Sequence, residues 1–553
     1  MKQTPFGRFI FIGGLLAAAG LFIFIWMIRI INSPDAVPFR EIGSKYESYT
    51  KTVYPERGNI YDRWGHLLAG NIETYEIGAD LRYVSDPQTI AATLSSIIGS
   101  NYNDIYALVS EKWDSDLPRY VKLADFVDPD KIDQLAAVEK QLNDQRDKAS
   151  SRRRKEEVMP NLDGMLWTPM LKRSYPENTL GANILGFFAY REREKGRGYF
   201  GVEEKYNQLL AGSPVDVQVA LDPYKINQIP DIPPGASLVL TIDRDIQAMT
   251  ERILEEHVKS SGAKSGTVII MDPETGEILA MAVSDRLNPN EYWDYGKVFP
   301  GIAAYNRAVG TTYEPGSVFK VLTMGSAIDA KAVTPTTPFL DTGVIMVGGV
   351  PIRNWDRGAW GPQDMLGCMQ HSLNVCLAWV ATELGPSKFY NYLNNFGIGH
   401  LTGIDLAGEV SQPVLIPGDS GWYEVNLGTN SFGQGVAATP VQMITAIGAV
   451  ANHGKIMAPH VLKSVIENGE QYNNPPQVIG KRISRETADT VTEMLAQSLE
   501  KESSNALVEG YRVAGKTGTA EIPGPGGYLA SATNASFVGW GPADDPRLRT
   551  SSR

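Results

Sequence analysis

The stretch EPGSVFK, from Glu314 to Lys320, carries a nucleophile and a possible base. Ser317 and Lys320 are three residues apart, so they share one face if the apolar run that follows is helical. A serine hydroxyl needs a neighbouring base, and a lysine serves as one when burial or a nearby positive charge lowers its pKa. A lone S-x-x-K pair is common on exposed helices, so further evidence has to come from the rest of the chain.

Two other polar groups fall in apolar surroundings later in the chain. Ser372 and Asn374 lie in the apolar run 365–384, where buried polar side chains need hydrogen-bond partners. The second group reads K-T-G-T and consists of Lys516, Thr517, Gly518 and Thr519. Its side chains could donate to a carboxylate, and its glycine leaves the strand backbone open to a substrate. Taken singly, the first group also fits helix capping and the second an ordinary glycine-punctuated strand.

Residues 510–517 also fit the phosphate-loop pattern G-x-x-x-x-G-K-[ST]. That motif requires a preceding apolar strand and a following helix. The polar segment 500–509 and the run PGPGG at 523–527 provide neither, so we predict no nucleotide site. The histidines and cysteines match no metal-ligand spacing, and we expect no metal and no cofactor.

Composition and the first residues limit the compartment. The net charge of -12 argues against a nucleic-acid partner. Residues 9–31 are predicted to anchor the chain in the cell membrane as a single-pass helix, after a cytoplasmic tail at 1–8 and before a linker at 32–48. The bulk of the chain then lies outside the cytoplasm. The two cysteines, Cys368 and Cys376, are expected on one helix at roughly 12 Å, too far apart to form a disulfide.

The motifs S-x-x-K, S-x-N and K-T-G in this order, behind a membrane anchor, resemble those of the class B penicillin-binding proteins. Residues 57–69 are similar to the start of the pedestal domain of that family, and 173–176 and 198–204 to its later motifs. The resemblance implies a multidomain α+β protein. Its parts would be the N-terminal transmembrane helix, an elongated pedestal or dimerisation domain at 49–235 and a serine β-lactamase-like transpeptidase domain at 236–553, with helices around an antiparallel sheet.

The resemblance also implies a role for each site residue. Ser317 would attack the penultimate D-alanine of a peptidoglycan stem peptide, with Lys320 as its base. Ser372 would relay the proton to the leaving amine and Lys516 would add positive charge. Asn374 would hold the substrate amide, and the residues of the K-T-G-T group would bind the terminal carboxylate: Thr517, Gly518 and Thr519. β-Lactams would acylate the same serine, and the enzyme would be a D-Ala-D-Ala transpeptidase.

The family sheet continues after residues 537–544 into another strand and a C-terminal helix. The remaining residues, 547–553, hold no apolar run. We therefore expect a transpeptidase domain that lacks its last strand and helix, with unpaired backbone groups beside the first hairpin and an unstable or inactive enzyme.

Two alternative functions remain open on these grounds. The same motifs occur in β-lactamases and β-lactam sensors, and a truncated domain could leave a non-catalytic pedestal scaffold. Expected partners are D-Ala-D-Ala stem peptides, β-lactams, a membrane glycosyltransferase and the proteins of cell division or elongation.

Overall fold

The computed structural model describes residues 5–38, 48–112, 120–150, 159–191, 194–220, 232–301, 303–502, 504–524, 527–544 and 548–552. Contacts group the chain into two compact units, one of residues 1–56 and 211–235 and one of residues 57–210 and 236–553. The multidomain α+β class predicted from the sequence is confirmed.

The helices and strands, numbered in chain order, have the following bounds. The helices are α1 (Pro5–Ile31), α2 (Pro87–Ile98), α3 (Tyr102–Ser110), α4 (Pro129–Ser150), α5 (Ala182–Leu185), α6 (Gly201–Lys205), α7 (Asn207–Ala211), α8 (Arg244–Ser261), α9 (Tyr295–Val298), α10 (Arg307–Gly310), α11 (Lys320–Asp329), α12 (Met365–Gln370), α13 (Asn374–Leu384), α14 (Pro386–Asn395), α15 (Val425–Asn430), α16 (Pro440–Ala451) and α17 (Arg485–Glu502). The strands are β1 (Ser48–Val53), β2 (Ile60–Tyr61), β3 (Leu67–Asp80), β4 (Tyr120–Val127), β5 (Met165–Ser174), β6 (Phe187–Arg191), β7 (Glu194–Tyr199), β8 (Val215–Ala220), β9 (Ser237–Leu240), β10 (Thr267–Met271), β11 (Ile278–Val283), β12 (Phe339–Asp341), β13 (Val344–Val347), β14 (Val350–Arg353), β15 (Gly361–Gln363), β16 (Lys455–Met457), β17 (Leu462–Glu467), β18 (Glu470–Asn473), β19 (Val478–Lys481), β20 (Ala514–Gly524), β21 (Gly527–Gly541) and β22 (Leu548–Ser552).

The first unit contains the apolar helix α1 and the antiparallel pair β1 and β8. Within α1, Phe9–Ile31 is long and apolar enough to cross a membrane. Residues 1–4 of the predicted tail and 39–47 of the predicted linker lie outside the described residues.

A mixed sheet in the second unit combines strands from distant parts of the sequence. Its order is β18-β17-β9-β2-β3-β4, and β5 also pairs with β3. The short strand β2 runs parallel to β9. The turn glycines and alternating apolar residues of 57–69 predict a strand, a turn and a second strand, and β3 folds back antiparallel on β2. Strands from both sides of the predicted boundary at 235 therefore share one sheet.

The five-stranded sheet that carries the K-T-G-T group is antiparallel, in the order β11-β10-β22-β21-β20. The apolar runs at 266–271 and 277–283, joined by the turn sequence at 272–276, predict a hairpin, and β10 and β11 confirm it. The expectation that residues 547–553 cannot supply the last strand is wrong, because β22 pairs with β10 on one side and β21 on the other. Strand pairing depends on backbone N–H and C=O groups, which polar residues also have. Hydrogen bonds to a strand on each side therefore hold β22 in the sheet without an apolar run.

Local signals fix the helices that surround this sheet. Helix α8 begins after Asp243, whose carboxylate accepts the N–H groups of Asp245 and Ile246, and it ends at Gly262 with a φ of 69°. The sequence predicts a helix from Asp243 to about residue 260, and these bounds confirm it. Most of α11 is buried in an apolar cluster with α13, α14, α16 and α17, so the residues at its start are held rigidly.

A buried ion network joins three segments of the second unit around Glu203. Its carboxylate accepts hydrogen bonds from Arg57, from Arg173 Nε at 2.8 Å and from the Tyr175 hydroxyl at 3.1 Å. Burial opposes ionisation, but the charges of Arg173 and Arg57 outweigh it and lower the pKa of Glu203. The sequence at 198–206 predicts a turn into a helix with Glu203 in the first turn, where a carboxylate suits the helix dipole. The structure adds its role in this network.

Candidate active site

Ser317 lies in a 3₁₀ turn, Gly316–Phe319, that leads directly into α11. A 3₁₀ turn has three residues per turn, so Ser317 and Lys320 still fall on one side of the chain, as predicted for a helix. The turn begins at Gly316, whose φ of 62° suits glycine, and Gly316 N–H donates to Gly433 O at 3.1 Å. Ser317, the predicted nucleophile, is therefore presented at the start of a buried helix.

Lys320 is fully buried, with a relative exposure of 0%. Its Nζ donates to Ser372 O at 2.6 Å, to Ser372 Oγ at 3.2 Å and to Asn374 Oδ1 at 2.8 Å. Burial, and next the charge of Lys516, lower the pKa of Lys320 well below its ordinary value of 10.5. Both conditions that would make this lysine a base are thus present.

Ser372 and Asn374 reach Lys320 because the run 365–384 is two helices, α12 and α13, rather than one. Ser372 takes a φ of 54° between them, and Leu373 N–H donates to Cys368 O at 3.0 Å. Asn374 opens α13, and its Nδ2 donates to Arg353 O at 3.4 Å. The turn aims the serine and the asparagine at the same amine.

The same turn overturns the expectation for the cysteines. Cys368 and Cys376 form a disulfide with a Cα–Cα distance of 6.0 Å. A continuous helix would separate them by roughly 12 Å, but the reversal at residues 371–373 folds α13 back toward α12. The disulfide closes the loop that carries Ser372 and Asn374.

Strand β20 brings the K-T-G-T group to the edge of the five-stranded sheet, where β21 is its single neighbour among the described strands. Lys516 is buried, and its Nζ donates to Thr517 O at 3.0 Å. Thr517 and Thr519 are exposed at alternate positions, so their side chains lie on one face of the strand. Their hydroxyls are accessible to a substrate.

Two glycines allow the turn Gly316–Phe319, named the nucleophile turn after the predicted role of Ser317, to touch β20. A Cβ on Gly518 would lie 3.0 Å from Val318 N, and one on Gly316 would lie 2.8 Å from Thr519 O. From the sequence, we expect Gly518 to leave the strand open to a substrate. In the structure, the lack of a side chain at Gly518 also allows Val318 to approach the strand closely. The backbones at Ser317 and Thr519 are consequently neighbours.

The structure brings the predicted residues together to different degrees. Lys320, Ser372 and Asn374 are in direct contact, Lys516 is close enough to influence the pKa of Lys320, and Ser317 is placed by its turn. Within the described residues, none of the hydrogen bonds of Lys320 reaches Ser317. In the same residues no group of three or more His, Cys, Asp or Glu side chains is placed to hold a metal ion.

Glu314 lies next to these residues, and the sequence alone assigns it no role. It is 9% exposed, and its carboxylate accepts from Gly435 N–H at 3.0 Å and from the Tyr528 hydroxyl at 3.1 Å. The signal in the sequence was a charged residue next to Pro-Gly, three positions before the predicted nucleophile.

Comparisons with known proteins agree along the chain. Two family profiles match: the Penicillin binding protein transpeptidase domain over residues 266–551 and the Penicillin-binding Protein dimerisation domain over residues 52–231. The chain is 32% identical over 509 residues to Stage V sporulation protein D of Bacillus subtilis, which covers 89% of this chain and 73% of that protein. It is 28% identical over 546 residues to the Peptidoglycan D,D-transpeptidase FtsI of Escherichia coli K12, with coverage of 97% and 84%. Among solved structures, Penicillin Binding Protein 2X of Streptococcus thermophilus superimposes with a TM-score of 0.73 at 23% identity, over 91% of this chain and 76% of that one.

Proposed function

Because this chain belongs to the class B penicillin-binding proteins, we propose that it forms peptidoglycan crosslinks through a covalent acyl intermediate on Ser317. It is a penicillin-binding peptidoglycan D,D-transpeptidase.

One observation carries the proposal. The amine of Lys320 is fully buried, forms no ion pair with any described residue and lies one turn from Ser317. Burial favours its neutral form, which can take a proton from the serine hydroxyl. Its hydrogen bonds to Ser372 and Asn374 hold it toward the site.

Acylation then proceeds as a nucleophilic substitution. Ser317 Oγ attacks the carbonyl of the penultimate D-alanine while Lys320 removes the hydroxyl proton. The proton passes through the Ser372 hydroxyl, which contacts Lys320 Nζ, to the amine of the leaving D-alanine. Lys516 adds positive charge near this path, which favours the neutral form of Lys320.

Substrate recognition falls to the strand and the turn opposite it. Thr517 and Thr519 bind the terminal carboxylate through their exposed hydroxyls, and Gly518 keeps the strand close to the nucleophile turn. Asn374 holds the amide of the stem peptide. The exposure of Thr517 and Thr519 on one face of β20 supports their assignment.

The oxyanion of the tetrahedral intermediate is assigned to the backbone N–H groups of Ser317 and Thr519. The close approach of Gly316 to Thr519 supports this assignment, and each such donor is worth about 3 kcal/mol in hydrolases. An amine of a second stem peptide then attacks the ester carbonyl, forming the crosslink and returning the proton to the serine. A β-lactam acylates the same oxygen and remains attached.

We place the pedestal or dimerisation domain at 49–235 and the transpeptidase domain at 236–553, behind a membrane anchor at 9–31 with its N-terminus in the cytoplasm. The apolar helix Phe9–Ile31 and the dimerisation profile over residues 52–231 support this arrangement. A membrane glycosyltransferase and proteins of division or elongation are the partners that this arrangement suits.

Neither alternative is favoured. A β-lactamase or sensor has no need of the dimerisation domain matched over residues 52–231. The hypothesis of a non-catalytic scaffold depended on a missing last strand, whereas β22 lies between β10 and β21 and pairs with both.

The test uses the full chain in detergent with a fluorescent penicillin and, separately, a pentapeptide stem donor with an amine acceptor. We expect a stable adduct on the Ser317 peptide, release of D-alanine, and loss of both in Ser317→Ala. Ser420→Ala, an exposed serine, is the matched control and retains both. Rapid turnover of the penicillin, or labelling that survives Ser317→Ala, would contradict the proposal.

A further inference from the structure

The acyl-transfer roles leave Glu314 without a function, although it is buried three residues before the nucleophile. Its carboxylate connects two separate elements. Oε1 accepts the N–H of Gly435 at 3.0 Å, and the Tyr528 hydroxyl donates to Oε2 at 3.1 Å and to Oε1 at 3.3 Å. A buried carboxylate with donors on two sides fixes both of them relative to its own backbone.

Tyr528 lies at the tip of the hairpin formed by β20 and β21. The pairing of these strands is continuous from Ala514 opposite Trp540 to Glu521 opposite Thr533. It then shifts, so that Pro523 pairs with Tyr528. The continuous ladder therefore extends two residue pairs beyond Thr519, and past the irregularity it resumes with Pro523 opposite Tyr528 and Gly524 opposite Gly527. The tip is thus separated from Thr519 by an interruption in the backbone pairing.

The nucleophile turn and the residue before it also touch this hairpin nearer its base. The Ser536 hydroxyl donates to Pro315 O at 3.3 Å, and the backbones of Gly316 and Val318 lie against Thr519 and Gly518. The Tyr528–Glu314 bond adds a contact on the far side of the register shift. Thr519 thus lies between a contact at the base and a contact at the tip.

We propose that Glu314 is a positioning residue, which ties the tip of the β20–β21 hairpin to the nucleophile turn and so fixes Thr519 opposite Ser317. The inference rests on the proposed function, because Thr519 is assigned there to the substrate carboxylate and the oxyanion. Tyr528 is the partner that makes the tie, and Gly435 holds the carboxylate from the other side.

The experiment compares Tyr528→Phe, Glu314→Ala and Glu314→Gln in the full chain. Tyr528→Phe removes one hydroxyl from a side chain that is 45% exposed, so the fold is not at risk. The loss of one such hydrogen bond corresponds to about a tenfold fall in kcat/KM for D-alanine release and in the rate of acylation by penicillin. Glu314→Ala should match or exceed this fall, and Glu314→Gln should recover part of it, since its amide oxygen still accepts.

The double variant Glu314→Ala/Tyr528→Phe separates a shared tie from two unrelated effects. If the two residues act through one contact, the double variant is no slower than Glu314→Ala alone. Tyr472→Phe is the matched control, because the Tyr472 hydroxyl also donates to a glutamate, Glu470, on an exposed strand, and it should leave kcat and KM unchanged.

Wild-type kcat/KM in Tyr528→Phe, or effects of Glu314→Ala and Tyr528→Phe that multiply, would overturn the inference. In the same assay Ser317→Ala tests the proposed function separately. Labelling lost in Ser317→Ala but unchanged in Tyr528→Phe rejects the role of Glu314 alone, whereas labelling that persists in Ser317→Ala rejects both.

Discussion

Two buried charged groups, Lys320 and Glu203, lie in different parts of the second unit and differ in how their charge is balanced. Glu203 accepts hydrogen bonds from two arginines, Arg57 and Arg173, which lower its pKa and keep it ionised. Lys320 donates hydrogen bonds to three uncharged oxygen atoms. Burial, and next the positive charge of Lys516, lower its pKa. Burial is complete in both, with 0% exposure for each residue.

The difference teaches that burial alone does not mark chemistry. A buried ion pair with complete hydrogen bonding is a structural element that resists the loss of either partner. A buried amine without a counter-ion is driven toward its neutral, basic form, which is the state that a general base requires. The predictions below test this contrast from the largest expected effect to the smallest.

Replacing Lys320 should remove the chemistry and leave the fold. In Lys320→Met we expect acylation by fluorescent penicillin to fall by about a thousandfold, the usual range for a lost general base. The apolar chain suits the buried site, so the melting temperature should change little. Lys388→Met, at an exposed lysine, is the control, and a loss of acylation below tenfold would contradict the assignment.

Replacing Glu203 should lower the stability of the fold and leave the acylation chemistry intact. In Glu203→Gln two buried arginines lose their counter-charge, at a cost of about 3–5 kcal/mol in the free energy of unfolding. Acylation per folded molecule should stay near wild type. Glu204→Gln, in the same helical turn but exposed, should cost under about 1 kcal/mol. Equal melting temperatures for the two variants would show that the network does not stabilise the fold.

The disulfide bears on Lys320, because it closes the loop that presents Ser372 and Asn374, the acceptors of the Lys320 amine. In Cys368→Ala/Cys376→Ala we expect a loss of about 2–3 kcal/mol in the free energy of unfolding from the short loop. Acylation should fall by about tenfold as the acceptors of Lys320 lose their fixed positions. The acylation rate is measured well below the melting temperature. A variant that loses stability but acylates at the wild-type rate would limit the disulfide to a structural role.

An exposed pair gives the smallest expected effect. Glu493 accepts from Arg512, which is the main cause that lowers the pKa of this carboxyl to about 2. Both side chains are about a third to a half exposed, so solvent screens the pair and Glu493→Gln should cost under about 1 kcal/mol at neutral pH.

The sign of its pH dependence follows from the lowered pKa of Glu493. The contribution is present above the ordinary value of 4.5 and is lost as the pH falls toward about 2. Melting curves of wild type and Glu493→Gln should therefore converge in this window. A gap that widens on acidification would contradict the assignment.

Local patterns predicted the elements that depend on neighbouring residues. The cap at Asp243, the hairpin β10–β11 and the S-x-x-K turn all follow from short stretches of sequence. The resemblance to a family then grouped Ser317, Ser372 and Lys516, which no local pattern could bring together.

The features that escaped prediction depend on tertiary contacts. Glu203 is 146 residues from Arg57 in the sequence, so no local pattern shows their pairing. The disulfide depends on one left-handed residue, Ser372, which breaks an apolar run that otherwise predicts one helix. Strand β22 was missed because its place in the sheet, between two neighbouring strands, compensates for its polar composition.

The most direct test of the central claim is the pH dependence of Ser317 acylation, measured as a second-order rate constant between about pH 5 and 10. If neutral Lys320 is the base, the rate rises with pH and levels off, with a midpoint well below the ordinary lysine pKa of 10.5. In Lys516→Met the loss of a neighbouring positive charge should move that midpoint to higher pH. A rate that does not depend on pH, or a midpoint at the ordinary lysine value in the wild type, would contradict the claim that burial makes Lys320 the base.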